Sequence, residues 1–104
     1  MIKTVALAGL GAIGLPLARA LDEGIDGLRL VAIAVRDPVT ARARLAGFRD
    51  PPAIVDFFDL AEADIVVEAT PAALFERVAI PAIDAGRIFI PASVGALLDR
   101  KSVV

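Results

Sequence analysis

The stretch that most restricts the fold of this 104-residue chain lies near its start, VALAGLGAIGLPLARAL over residues 5–21. Within it, Gly9-Leu10-Gly11-Ala12-Ile13-Gly14 spells G-x-G-x-x-G. An apolar segment over residues 2–8 precedes it, and Ile13, Leu17 and Leu21 recur at four-residue, helical spacing after it. The glycines therefore sit where a strand turns into a helix, the context that a dinucleotide-binding fingerprint requires. Gly9 permits the tight turn, Gly11 has no Cβ to keep a pyrophosphate off the backbone, and Gly14 lets the helix pack close to the strand. The helix N-terminus offers free N–H groups and partial positive charge to the phosphates. A glycine-rich turn without a ligand would show the same letters; the strand before it and the helix after it favour the cofactor reading. Pro16 falls just past the first helical turn, where it cannot donate to the Ala12 carbonyl. Its expected cost is smaller than the ~3 kcal/mol of a helix-interior proline.

The remaining pattern alternates. Strands are expected over residues 3–8, 28–35, 53–55, 64–68 and 87–91. Helices are expected over residues 12–23 and 40–45, and from Thr70-Pro71 to about Ala85, with Thr70 as cap and Pro81 as a kink or break. Residues 57–63 read as a turn or short helix, 93–95 as a loop, and 96–100 as the start of another helix. The run LRLVAIAV over residues 28–35 is apolar nearly throughout, as suits a strand covered on both faces of a parallel sheet. Alternating strands and helices imply one α/β domain, a Rossmann-like doubly wound sheet of about five strands. Strand order 3-2-1-4-5 follows, with a crevice beside the first strand.

Composition excludes several classes. A formal charge of −2 and a pI near 4.9 argue against a nucleic-acid partner. With no cysteine there is no disulfide or thiolate metal site, and with no histidine the commonest general base and metal ligand are missing. The carboxylates Asp56, Asp59, Glu62 and Asp64 fit no dedicated metal loop and read as solvated surface. No apolar run reaches the ~18–20 residues of a membrane span, so no membrane partner is expected. Lys3, the apolar stretch and Ala18-Arg19-Ala20 imitate a signal peptide, but cleavage there would delete the first strand and the fingerprint together. The expected setting is cytoplasmic. The apolar fraction of 58% exceeds the roughly 45–50% usual for soluble domains, so part of this surface should be buried against something else.

Five further positions have chemistry to offer. Asp37 lies 23 residues after Gly14, where an acidic side chain would bond the 2′-OH of an NAD ribose. Arg36 precedes it and could instead pair with the 2′-phosphate of NADP. The plainer account of Asp37 is a helix N-cap, and of both a solvated loop. Glu68-Ala69-Thr70-Pro71 closes the fourth strand at its crevice end; Ala69 is small enough to admit a ring or ribose, and Thr70 can cap or bond a ligand. Ser93 ends the fifth strand, near where a nicotinamide would lie, with a bond to its own backbone as the alternative.

The segments GLGAIG, ADIVVEATP and AGRIFIPASVGALLD together resemble the NAD(P)-binding domain of the L-aspartate dehydrogenase family, over nearly the whole chain. Val67-Glu68-Ala69 and Ser93-Val94-Gly95-Ala96-Leu97 are the most specific parts. The resemblance implies NAD or NADP as cofactor, interconversion of L-aspartate and iminoaspartate, and cofactor contacts at Gly9, Gly11, Ala12, Ile13, Gly14, Ala69, Thr70 and Ser93. It carries over no catalytic residue, because that family's catalytic histidine belongs to a second domain. A catalytic domain or second subunit is accordingly an expected partner, with a homodimer as the expected assembly. Residues 9–21, with Pro16, look equally like β-hydroxyacid dehydrogenases, whose later segments fit less well. A stand-alone module that binds the dinucleotide without turnover is the alternative from another functional class.

Overall fold

A computed structural model describes residues 1–93, arranged as a five-stranded parallel sheet in the order β3-β2-β1-β4-β5. The strands are β1 (Lys3–Ala8), β2 (Leu28–Ala34), β3 (Ala53–Ile54), β4 (Ile65–Glu68) and β5 (Ile88–Pro91). The helices are α1 (Gly14–Glu23), α2 (Pro38–Arg44) and α3 (Phe75–Asp84), with 3₁₀ segments at Phe57–Glu62 and Ala72–Leu74. This is the Rossmann-like order expected from the alternation of elements. Ala92 and Ser93 are helical, so the loop expected from residue 93 does not begin there; the rest of the expected 93–95 loop and the expected 96–100 helix lie outside the described residues.

Alternation along the strands sorts the core into two layers. Val5 and Leu7 of β1 face α1 and α2 with Leu21, Ile33 and Leu45. Ala6 and Ala8 face the other side with Phe57, Leu60, Val66 and Val78. The small alanines on that second face leave room for the 3₁₀ segment and α3 to approach the sheet. β5 is sorted by its pairing with β4. Ile88 and Ile90 stand opposite Ile65 and Val67, whereas Phe89 stands opposite Val66 and packs with the α3 layer. Ile88 and Ile90 are exposed.

The start of the first helix, a break at a proline and a cap differ from expectation. Helix α1 begins at Gly14, not Ala12, so Pro16 is its third residue. The Leu15 N–H already donates to the Gly11 carbonyl, so at Pro16 the next bond of that series, to the Ala12 carbonyl, is forfeited, as expected. Pro81 lies inside α3, which runs on to Asp84 without a break. Thr70 does not cap the helix that follows: the 3₁₀ turn has Pro71 at its cap position, and neither it nor α3 has a side-chain cap. The Thr70 hydroxyl donates to Glu68 instead. At α2 the expected alternative is realised, with Pro38 at the first helical position and Asp37 as N-cap.

Asp64 is not idle surface. Its carboxylate accepts from the Thr4 backbone N–H at 2.9 Å and the Thr4 hydroxyl at 3.0 Å, and its own N–H donates to Thr4 Oγ1. Those bonds tie the start of β1 to the start of β4. The Thr4 N–H first, and its hydroxyl second, hold the Asp64 carboxyl below the ordinary value of 3.8. Asp22 is lowered in the same direction by the backbone N–H groups of Arg49 and Asp50, which anchor the loop before β3 to α1. A carboxyl lowered in the folded state contributes stability that is present above its unfolded pKa and is lost as pH falls through the folded one. The urea midpoint is therefore expected to stay level from neutrality down to about pH 5 and to fall below about pH 4. Asp64→Asn should flatten part of that fall, as read by unfolding curves across the pH range.

Candidate functional site

Three strand ends meet at one edge of the sheet and enclose a cleft of about 310 Å³. That volume is at the lower end of the range for small-molecule sites, ~300–1,000 Å³. The loop after β1 supplies Gly9, Leu10 and Gly11 to its lining. The β2–α2 connection supplies Arg36 and Asp37, α2 supplies Thr40 and Arg44, and the turn after β4 supplies Ala69, Thr70 and Pro71. The crevice opens at the carboxyl ends of the strands, beside β1, as expected for an open parallel sheet.

The three fingerprint glycines differ in what a side chain would meet. A Cβ on Gly9 would lie 2.3 Å from the Ala69 carbonyl oxygen, and Gly9 has φ +92°. A Cβ on Gly14 would lie 2.1 Å from the Gly9 carbonyl oxygen. Around Gly11 nothing lies within 4 Å of such an atom. Gly9 and Gly14 are thus required by the protein's own backbone, whereas Gly11 keeps a space open on the cleft. Helix α1 starts behind this loop with no side-chain cap and no acidic residue in its first turn. Apart from the Leu15 N–H, which donates to the Gly11 carbonyl, its first donors are left for an anion. A pyrophosphate fits that combination of open backbone and uncapped helix.

At the β2 end, Asp37 accepts from the N–H groups of Val39 and Thr40 at 3.1 and 3.3 Å, and from the Thr40 hydroxyl. The Thr40 hydroxyl is the main reason that its carboxyl is held below the ordinary value; the Arg44 charge adds to this. Arg44 reaches from the last turn of α2 to the Leu10 carbonyl at 2.7 Å, joining the helix to the glycine loop. Nothing in the sequence marks this bond, because its partners are 34 residues apart and one is a backbone atom. Arg36 is exposed on the same cleft.

Of the residues singled out from sequence, Gly9, Gly11, Arg36, Asp37, Ala69 and Thr70 line the cleft together. Ala12 and Ile13 are exposed at the loop–helix junction, and Gly14 is buried beneath it; none is part of the lining. Ser93 stands beyond β5, off the lining, with its hydroxyl donating to Glu68 Oε1. Glu68 itself is fully buried, and its Oε2 accepts the Thr70 N–H and hydroxyl. Its place at the end of an apolar strand gave it the look of a polar strand terminus, not of a buried hub.

Residues 9–104 match the family model described as homoserine dehydrogenase, NAD binding domain. The chain belongs to that family. Its relatives include the L-aspartate dehydrogenase of Bradyrhizobium diazoefficiens, 46% identical over 96% of this chain. L-aspartate dehydrogenase 3 of Bordetella bronchiseptica is 44% identical over 91%. The likeness noted in the sequence thus extends along nearly the whole chain. The chain spans 36% of the length of each of these curated relatives. Among solved structures, myo-inositol dehydrogenase from Lactobacillus casei, in complex with NAD(H) and myo-inositol, aligns with a TM-score of 0.74. It does so at 22% identity, over 86% of this chain and 27% of the neighbour, which shows a shared fold. For this member of the NAD-binding domain family, the glycine loop and the cleft beside it are the features on which a dinucleotide site can be built.

Proposed function

We propose that the chain is the NAD(P)-binding domain of an amino-acid dehydrogenase acting on L-aspartate, working in the cytoplasm. The observation that carries this reading is the contrast at the fingerprint: backbone crowds the Cβ positions of Gly9 and Gly14, while that of Gly11 faces open cleft. The names of the two relatives described above support the substrate. When bound, the nicotinamide supplies hydride transfer between L-aspartate and iminoaspartate. The chain's own residues bind and orient: the loop at Gly11 and the start of α1 take the pyrophosphate, and the β2–α2 connection takes the adenosine ribose. The test is a thermal-shift series with NAD+, NADH, NADP+ and NADPH. A dinucleotide at a hundred times its Kd should add about 2.7 kcal/mol of stability. No shift with any of the four overturns the reading.

We infer further that NADP(H) is accepted at least as well as NAD(H). Asp37 is engaged by three donors of its own helix, while Arg36 and Arg44 bring two positive charges to the same cleft. Arg36→Ala should weaken NADP(H) more than about tenfold, the value of a lost charge-assisted bond at roughly 1.5–3 kcal/mol, and leave NAD(H) within about twofold. Calorimetric titration of both cofactors measures this. Equal weakening of the two would make Arg36 an adenine or packing contact.

A second surface of the domain faces a protein partner in this reading. Ile88 and Ile90 are 55% and 45% exposed, on the sheet face that α1 and α2 cover elsewhere, and Ile80 and Ile83 of α3 are exposed too. We propose that a second domain or subunit covers part of this surface and that the 104-residue chain alone pairs with itself. Light scattering should give a dimer mass at high micromolar concentration; a monomer mass there removes the proposal.

A further inference from the structure

Glu68 is the only charged side chain buried among the described residues. A carboxylate withdrawn from water is costly unless charge or hydrogen bonds compensate it. Among the described residues no lysine or arginine forms an ion pair with it. Three donors surround it instead: the Thr70 N–H at 2.9 Å and the Thr70 hydroxyl on Oε2, and the Ser93 hydroxyl on Oε1.

In this arrangement both hydroxyls donate to the carboxylate. An ionised carboxylate only accepts, and a hydroxyl has one proton. With that proton directed at Glu68, Ser93 Oγ and Thr70 Oγ1 offer nothing but lone pairs to any other partner. The two differ in access. Thr70 is 6% exposed and turns its methyl group towards Gly9, while Ser93 remains half-buried at the carboxyl end of β5. Ser93, though off the cleft lining, is therefore the more accessible of the two hydroxyls. A free serine would take either end of a primary amide; one held by Glu68 takes only the amine end.

The amide in question follows from the order of the strands. Arg36 stands after β2, the glycine loop after β1, Thr70 after β4 and Ser93 after β5, in the spatial sequence of the sheet. Neighbouring strands are ~4.8 Å apart, so the three intervals from β2 to β5 cover about 14 Å. A dinucleotide with its adenosine at the β2 end and its pyrophosphate at Gly11 extends its nicotinamide half towards Ser93. We propose that Ser93 Oγ, its proton held by Glu68, accepts a hydrogen bond from the –NH2 of the nicotinamide carboxamide. Ser93 is then the ligand contact and Glu68 the positioning residue that gives this contact its sign. The proposal rests on the dinucleotide reading above and adds to it which end of the carboxamide is recognised and by what.

The experiment is a calorimetric titration of the chain with NAD+, its 3-acetylpyridine analogue and ADP-ribose. The analogue keeps the carbonyl but replaces –NH2 by methyl, and ADP-ribose lacks the ring altogether. NAD+ should bind about two- to twelvefold more tightly than the analogue, as expected for one neutral hydrogen bond. Ser93→Ala should reduce that preference to within about twofold of unity while ADP-ribose affinity is kept. Glu68→Gln introduces a donor beside the hydroxyl and should do the same in protein whose circular dichroism is unchanged. If Glu68→Gln does not fold, the Ser93→Ala comparison still decides. A wild-type preference of one, a preference that survives Ser93→Ala or a folded Glu68→Gln, or a parallel loss of ADP-ribose affinity in either variant would each overturn the proposal. Failure of wild type to bind any of the three ligands, ADP-ribose included, would instead remove the dinucleotide reading beneath it.

Discussion

Gly11→Val is expected to lose at least a hundredfold in NAD(P)H affinity, about 2.8 kcal/mol, while the domain stays folded. The two halves of that result have separate causes. The fold survives because nothing lies within 4 Å of a Cβ at this position, and Gly11 is exposed. Binding fails because the new branched side chain stands in the open space where a pyrophosphate must come close to the backbone. Thermal melting without ligand and titration with NADH read the two halves independently. Wild-type affinity in the folded variant would show that the cleft beside the glycine loop is not where a dinucleotide binds. A collapse in melting temperature would show that Gly11 serves the fold, as its two neighbours do.

Gly14→Ala should behave in the opposite manner. By helix propensity alone the change is favourable, because alanine exceeds glycine by ~0.8–1.0 kcal/mol inside a helix, and Gly14 is the first residue of α1. Packing reverses the sign. The added methyl would lie 2.1 Å from the Gly9 carbonyl oxygen, a backbone atom that cannot rotate away as a flexible side chain would. Separating the two requires α1 to move against β1, where Leu7, Leu21 and Ala18 are buried together. Overpacking of this kind usually costs ~1–3 kcal/mol and sometimes more. With backbone as the obstacle, a net loss of about 3 kcal/mol is expected, or a fall in Tm of roughly 12 °C or more for a domain near this size. Gly11→Ala is the control and should leave Tm within a few degrees. A Gly14→Ala protein as stable as wild type would mean that the loop yields easily and that its shape is not imposed by the helix.

The sheet was legible in the chain because its signals are local. The run over residues 28–35, the glycine loop and the prolines at Pro38 and Pro71 each act within a few residues of themselves. What could not be read depends on distant partners. Thr70 has the residue type and spacing of a helix cap, yet the 3₁₀ turn takes Pro71 at its cap position, and the proton of the Thr70 hydroxyl goes to the buried Glu68. Asp64 stood in an acidic run that looked solvated, and only the parallel register of β1 and β4 brings Thr4 to it. At the cleft, the glycines, Arg36, Asp37, Ala69 and Thr70 were all visible as candidates. Arg44 was not, since its partner is the carbonyl of Leu10 across the sheet edge.

The central position of β1 has a consequence for how the domain is made. One edge of β1 pairs with β2, which ends at Ala34, and the other pairs with β4, which ends at Glu68. On the ribosome, β1, α1 and β2 can assemble well before β4 exists. At 5–20 residues per second, the 34 residues from Ala34 to Glu68 take about 2–7 s to appear. Throughout that interval the open edge of β1 presents unpaired N–H and C=O groups beside Val5, Ala6 and Leu7. An apolar edge of this kind readily accepts a strand from another chain. Pairings between strands so far apart in sequence are also slow to form once both are present. The nascent chain's greatest hazard of misassociation therefore lies along a strand edge that the finished domain hides completely.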